Sequence, residues 1–387
     1  MKRVLIFSDT YLPEIGGAEY YTKNFALSLI KNGYEVTIFT NSLGGGEIIE
    51  REIRVIRRAW PGFFKIWEII RMAKEVAHLI RKNDLIFSNY TYRLTAIVAL
   101  VSVFLRREFF VLAHGLGTII DEGYPTVYKV YRYISIKLAR GAVATSSELA
   151  KIVSRYNKNV IVATAVDFSF IDRNLNVEGV LQIKNKFKNK KIIITVRRLA
   201  EKNGIQYLVR AMPYVVAKLE NVIYLVIGDG PLAGRLQAMS VALKMNDHIV
   251  FLGKLSNEKV FNFIKAADVE VFPSSAEAMS LAAIEGMYIG TPIVATPVGG
   301  LKELIGEKEE RGYLADLFDI DKSLYSAPVI ELISEDKYRL MATKIVEAIG
   351  QGSTKVAAAR KFVSERFDWS ITTNKILEFY FKSNGLR

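Results

Sequence analysis

Short apolar runs rich in Val and Ile alternate with longer amphipathic stretches twice along this chain, and between the two rounds the sequence turns polar and lysine-rich. That rhythm calls for parallel strands joined by crossover helices, because a parallel pair needs a connection long enough to cross back over its sheet. In the first round strands are expected at 4–8, 35–40, 53–57, 84–88, 109–113, 142–145 and 160–163, with helices at 18–32, 63–82, 95–106, 128–140 and 148–156. The second round gives strands at 191–196, 223–228, 249–253, 269–273 and 292–295, separated by helices at 205–219, 232–243, 256–266 and 281–289. Residues 172–190 read as a linker, and 354–382 as a helical, aromatic tail. At 387 residues the chain exceeds one hydrophobic core, so two domains are expected. The expected fold class is α/β: two Rossmann-like domains, 1–170 and 171–365, facing a central cleft, with a C-terminal helix over 366–387 crossing back to the first.

Composition narrows the chemistry. No cysteine means no disulfide, no thiolate nucleophile and no cysteine metal site, and three scattered histidines (His78, His114, His248) argue against a zinc centre. The opening M-K-R-V-L-I-F-S-D reads as a first strand, since its apolar run is too short for a signal peptide. The apolar stretch 94–105 is shorter than the ~20 residues a bilayer requires. We therefore expect a cytoplasmic protein. The net charge of +13 leans to the first half: residues 1–170 carry 23 Lys+Arg against 15 Asp+Glu, the remainder 30 against 25. Basic surfaces serve nucleic acids, anionic membranes or phosphorylated substrates. No helix-turn-helix, zinc-finger or RNP-like signature is present, so no nucleic-acid partner is expected.

Two carboxylates, Glu277 and Glu285, stand at the corner between the run 269–273 and the apolar stretch 281–289. Open parallel sheets bind ligands outside the carboxyl ends of their strands. Ionised Glu there accepts hydrogen bonds from paired hydroxyls, and a Ser280 cap would aim helix N-terminal amides at the same spot. Gly16 and Gly17 precede the first helix and let backbone amides approach a phosphate, yet the G-x-G-x-x-G of nicotinamide binders is absent. Arg197, Arg198 and Lys202 follow the strand 191–196 directly; three cations there would clamp a diphosphate and stabilise a phosphate leaving group. Gly228, in V-I-G-D-G-P, and Gly253, in F-L-G-K, supply further loops at the same edge. His114, in L-A-H-G, ends the strand 109–113.

Taken together, P-E-I-G-G-A-E, A-H-G, R-R-L-A-E-K-N-G, G-D-G-P, F-L-G-K and E-x7-E resemble the GT-B-fold retaining glycosyltransferases of group 1, family 4, over 4–380. The resemblance implies transfer of a sugar from a nucleoside-diphosphate donor to an acceptor, with retained anomeric configuration and with neither metal nor cofactor. It would give Glu285 the ribose hydroxyls and Glu277 the donor sugar, beside the amides of Ala278, Met279, Ser280 and Leu281. Arg198 and Lys202 would bind the diphosphate, Gly16 and Gly17 its distal phosphate, and His114 the sugar near the reacting face. Departures are that Arg197 stands where the family usually has Gly, Ala282 where Pro is common, and Thr164–Asp167 read T-A-V-D in place of N-G-V-D. Which of Arg197 and Arg198 reaches the phosphate is therefore open. A nucleotide-sugar epimerase of the same architecture and a non-catalytic sugar-nucleotide-binding subunit are the alternatives.

The acceptor side belongs to the first domain. Its stretch 63–82 sets Phe63, Ile66, Trp67, Ile70, Ala77 and Ile80 along one stripe, among Lys65, Arg71, Lys74, Arg81 and Lys82. Such a helix either covers the sheet or lies on an anionic membrane at the inner face. A lipid-linked or phosphorylated acceptor suits the basic first half.

Overall fold

The computed structural model describes residues 1–13, 17–41, 45–58, 66–89, 93–114, 126–318 and 333–384. It divides into two compact units, Met1–Ala165 with Trp369–Arg387, and Val166–Asp368. In chain order the first unit carries β1 (Arg3–Ser8), α1 (Gly17–Lys31), β2 (Glu35–Asn41), β3 (Gly46–Glu50), β4 (Ile53–Arg58), α2 (Ile66–Lys82) and β5 (Leu85–Asn89). It continues with α3 (Arg93–Phe104), β6 (Phe110–Ala113), α4 (Thr126–Leu138), β7 (Gly141–Ala144), α5 (Ser147–Val153) and β8 (Val160–Val162). The second begins α6 (Phe168–Asn174), α7 (Val177–Lys186), β9 (Lys191–Val196), α8 (Ile205–Val216), β10 (Val222–Ile227), α9 (Ala233–Ala242), β11 (Ile249–Gly253) and α10 (Asn257–Ala266). Then come β12 (Val269–Phe272), α11 (Leu281–Ile289), β13 (Ile293–Ala295), α12 (Gly299–Ile305), β14 (Tyr313–Leu314), α13 (Glu335–Gln351) and α14 (Ser353–Ser364); α15 (Trp369–Ser383) closes the chain.

The first sheet has the order β3-β4-β2-β1-β5-β6-β7-β8, the second β11-β10-β9-β12-β13-β14. Every pairing is parallel except β3 with β4. Central strands are sealed on both faces, as the unbroken run Val222–Ile227 shows, and this is why they read as continuous apolar stretches with no alternation. The edge strand β3 escaped the sequence reading. Its five residues follow a run of glycines, and it is exposed along most of its length, so it lacks the buried signature of its neighbours.

One reading needs correction. Residues 172–190 are no linker: α6 and α7 run through them, capped by Asp167, which accepts from Phe170 N, and by Asn176, which accepts from Glu178 N. No residue of α7 is fully buried, so its surface composition imitates a linker while it docks on α10 through Asn176 N donating to Asn262 Oδ1 at 2.8 Å. The tail is two helices. α14 ends at Ser364 in the second unit, and α15 packs on α1 in the first. Trp369 meets Tyr21 edge-on at 4.9 Å and Tyr380 lies 4.5 Å from Phe110. Thr373 Oγ1 donates to Ser28 Oγ at 2.8 Å. Burying Trp369, Ile376 and Tyr380, at about 1.5–3 kcal/mol each, is what holds this helix on the first unit.

Candidate functional site

The second unit concentrates the chemistry at the carboxyl ends of β9 and β12. Gly204, with φ of +73°, turns the chain after Lys202, and a Cβ at this glycine would collide with Pro273 O. That approach lets Ser275 N donate to Lys202 O at 2.9 Å and Ser275 Oγ donate to the same oxygen at 3.3 Å. The loop bearing the cations is thereby joined to the loop that leads into Glu277.

Arg197 pairs directly with Glu277 through Nη2 and Oε2, and its Nη1 donates to Ser280 Oγ at 3.3 Å. The two charged side chains are only 11 % and 14 % exposed, and the guanidinium lies 5.5 Å from the Phe272 ring centroid. Ser280 also caps α11, accepting from Ala283 N at 3.3 Å, so one hydroxyl fixes both the helix start and the arginine. Arg198 and Lys202 are exposed and form no ion pair with any of the described residues. Arg197 is neutralised by Glu277, which leaves Arg198 and Lys202 as the cations open to an incoming anion.

The glycines divide by role. Gly228 (φ +139°) is required for packing, since a Cβ on it would collide with Arg197 O. Gly253 (φ +68°) has open space where a side chain would project, and its carbonyl accepts from Gly228 N at 2.8 Å. Ala278 and Met279 are nearly buried. They lie against α12, where Gly300 N donates to Ala278 O at 3.0 Å and a Cβ on Gly300 would press on Met279. Leu281 is half-buried at the start of α11. The pair Gly299-Gly300 went unused in the sequence reading, although two glycines ahead of a helix were visible there.

Glu285 is half-buried on the second turn of α11, and the protein packed around it pushes its carboxyl up from 4.5 to about 7. Beside it lies a residue the sequence reading passed over: Glu270, in the middle of β12 and 0 % exposed. Burial, reinforced by the neighbouring Glu285 charge and offset in part by Arg197, holds Glu270 well above the usual carboxylate range. A glutamate inside an otherwise apolar strand, V-E-V-F, was the available signal.

In the first unit His114 follows β6, and its ring lies edge-on to Tyr21 of α1 at 4.3 Å. Its Nε2 is sealed from solvent with no partner among the described residues, and burial lowers its pKa from 6.5 to about 4, so the ring is neutral at physiological pH. Gly17 opens α1 four residues before Tyr21, with free space around its Cα. Gly16 lies outside the described residues, as do Phe63 and Lys65.

Two wound parallel sheets, the second with cations and a capped helix at its strand ends, place the chain among the α/β architectures that bind ligands outside the carboxyl ends of their strands. Comparison makes the class specific. Residues 178–347 match the family Glycosyl transferases group 1, and residues 15–170 match Glycosyltransferase Family 4. The chain is a glycosyltransferase of the GT-B fold. It is 26 % identical over 327 residues to an uncharacterized glycosyltransferase of Methanocaldococcus jannaschii, covering 78 % of this chain and 82 % of that one. An alpha-monoglucosyldiacylglycerol synthase of Streptococcus pneumoniae is 24 % identical over 343 residues, 79 % of this chain and 74 % of its own. Among solved structures, Anabaena HepE in complex with UDP and glucose superposes with a TM-score of 0.76 at 17 % identity, over 99 % of this chain and 100 % of that one.

Proposed function

We propose that this glycosyltransferase moves a sugar from a nucleoside diphosphate to its acceptor with retention of configuration and without a metal. The observation that carries the reading is the division of labour among three cations: Arg197 is bound to Glu277, while exposed Arg198 and Lys202 form no ion pair among the described residues. In this reading Arg198 and Lys202 receive the diphosphate and stabilise the negative charge that grows on it as the sugar–phosphate bond breaks. Glu277, aimed by Arg197, orients the sugar. Glu285 accepts from the ribose hydroxyls, with the α11 amides beside it, and neutral His114 contacts the sugar by hydrogen bonding. The HepE complex with UDP supports a uridine nucleotide as donor. Epimerisation is disfavoured by the two transferase matches, which together span most of the chain. Release of UDP from UDP-sugars, measured with and without acceptor and with chelator present, tests the scheme. Lys202→Ala and Glu277→Ala should each abolish transfer while leaving the circular dichroism spectrum unchanged. Wild-type turnover in either variant would remove its role.

For the acceptor, the first unit favours a lipid held in an anionic membrane. Ile66 and Trp67 of α2 are 63 % and 76 % exposed, and the stripe that covers the sheet is Met72, Val76, Leu79 and Ile80. On the adjoining α3, Phe104 is 83 % exposed. A groove of about 400 Å³ is lined by Val103 of α3 and by Arg106, Arg107 and Arg140 against the single Glu108. Large apolar side chains exposed next to arginines suit an interfacial surface, and among the described residues no helix is long and apolar enough to cross a bilayer. The synthase of alpha-monoglucosyldiacylglycerol among the relatives supports a lipid acceptor. Binding to phosphatidylglycerol vesicles should survive 150 mM salt and fall at least tenfold in Trp67→Ser with Phe104→Ser; equal binding by that double variant would refute this face.

A further inference from the structure

Glu270 has no part in the scheme above. It sits mid-strand in β12, in register with Ile194 on one side and Ile293 on the other, completely shielded from water. Neither carboxyl oxygen has a hydrogen-bond partner among the described residues. Its side chain is directed at α11: a Cβ on Gly286 would collide with Glu270 Oε2, so the glycine next to Glu285 is what leaves room for the acid. The charged groups acting on it are Glu285 from α11 and Arg197 from the end of β9. A lone carboxylate without solvent or a bonded cation is too costly to bury, so the group keeps its proton. An O–H sealed without an acceptor is itself unfavourable. Glu285, which makes no hydrogen bond of its own among the described residues, is the group on α11 able to accept it once ionised.

We propose that Glu270 is a positioning residue for donor binding: a neutral acid lodged beneath α11 that turns its O–H to Glu285 when the donor holds Glu285 as a carboxylate. The proposal rests on the donor-site reading above. It makes nucleotide binding depend on a residue that never touches the nucleotide, and it accounts for a glutamate where a strand interior calls for an apolar side chain. The exchange is one hydrogen bond gained on binding, with the proton staying on Glu270 and any proton held by Glu285 released to solvent.

The test is UDP binding by calorimetry from pH 5.5 to 8.5, with GDP and ADP as further arms, on wild type, Glu270→Gln and Glu270→Met. The amide of Gln still donates, so Glu270→Gln should bind within about threefold of wild type. Met fills the space without a donor, so Glu270→Met should bind roughly tenfold or more weakly, the scale of one charge-assisted hydrogen bond. The pH at which its affinity falls on the acid side should rise by about one unit, because ionised Glu285 has lost its donor. Equal binding and an equal acid limb in Glu270→Met overturn the proposal, as does equal weakening in both variants, which would mark mere space-filling. If wild type binds none of the three nucleotides, the donor-site reading fails and this proposal fails with it. Binding by wild type with an unaffected Glu270→Met sinks the proposal alone.

Discussion

Replacing Glu285 by Gln separates what this carboxyl costs the fold from what it gives to binding. In the folded chain its pKa lies at about 7, against 4.5 for the ordinary group. At about 1.4 kcal/mol per pH unit, ionising it in place costs about 3 kcal/mol. Because part of the side chain remains open to water, screening trims the figure toward about 2 kcal/mol. The sign follows from linkage. A raised acid favours the protonated folded state, so its stability is intact below pH 4.5 and is lost as pH rises through about 7. Gln carries no such dependence. Glu285→Gln should therefore raise the melting temperature of the second unit at pH 8.5 by roughly 4–8 °C, and by little at pH 4.5. The same variant should lose stabilisation by added UDP, which wild type shows at pH 8.5 and progressively less below pH 7. Differential scanning calorimetry at the two pH values, with and without nucleotide, reads all four quantities. A gain of equal size at both pH values, or a loss at pH 8.5, would refute the assignment of buried-charge cost to Glu285.

Two further outcomes can be checked directly. Gly286→Ala should destabilise the chain by about 1–3 kcal/mol in urea unfolding, since the new methyl meets Glu270 Oε2 and presses on Ile293 Cδ1; in a Glu270→Ala background the loss should shrink, as the carboxyl clash is gone and alanine's better helix propensity adds roughly 1 kcal/mol. Because the His114 ring titrates only near pH 4, His114→Asn should lower transfer by one constant factor from pH 5.5 to 8.5; a loss concentrated on the acid side would give the ring a titrating role.

Much of this protein was legible in its sequence because parallel strands buried on both faces announce themselves as apolar runs, and because strand-end loops carry their chemistry in short motifs. Arg198, Lys202 and Glu277 lie within six residues of a strand end and Glu285 on the helix that follows β12, so chain order alone set them near one sheet edge. Where surface composition and structure diverge, as in α7, the same reasoning failed, since a helix whose apolar contacts Ile183 and Phe187 are only half-buried looks like a linker.

Only the tertiary structure decided which cation is taken and which carboxylate is buried. Arg197 and Glu277 are 80 residues apart along the chain, and their pairing depends on how β9 and β12 lie side by side. Glu270 fits beneath α11 because Gly286, on the following helix, leaves space for it. Sequence reports the chemistry each residue offers; dielectric, distance and available volume exist only once strands and helices from distant segments have been packed together.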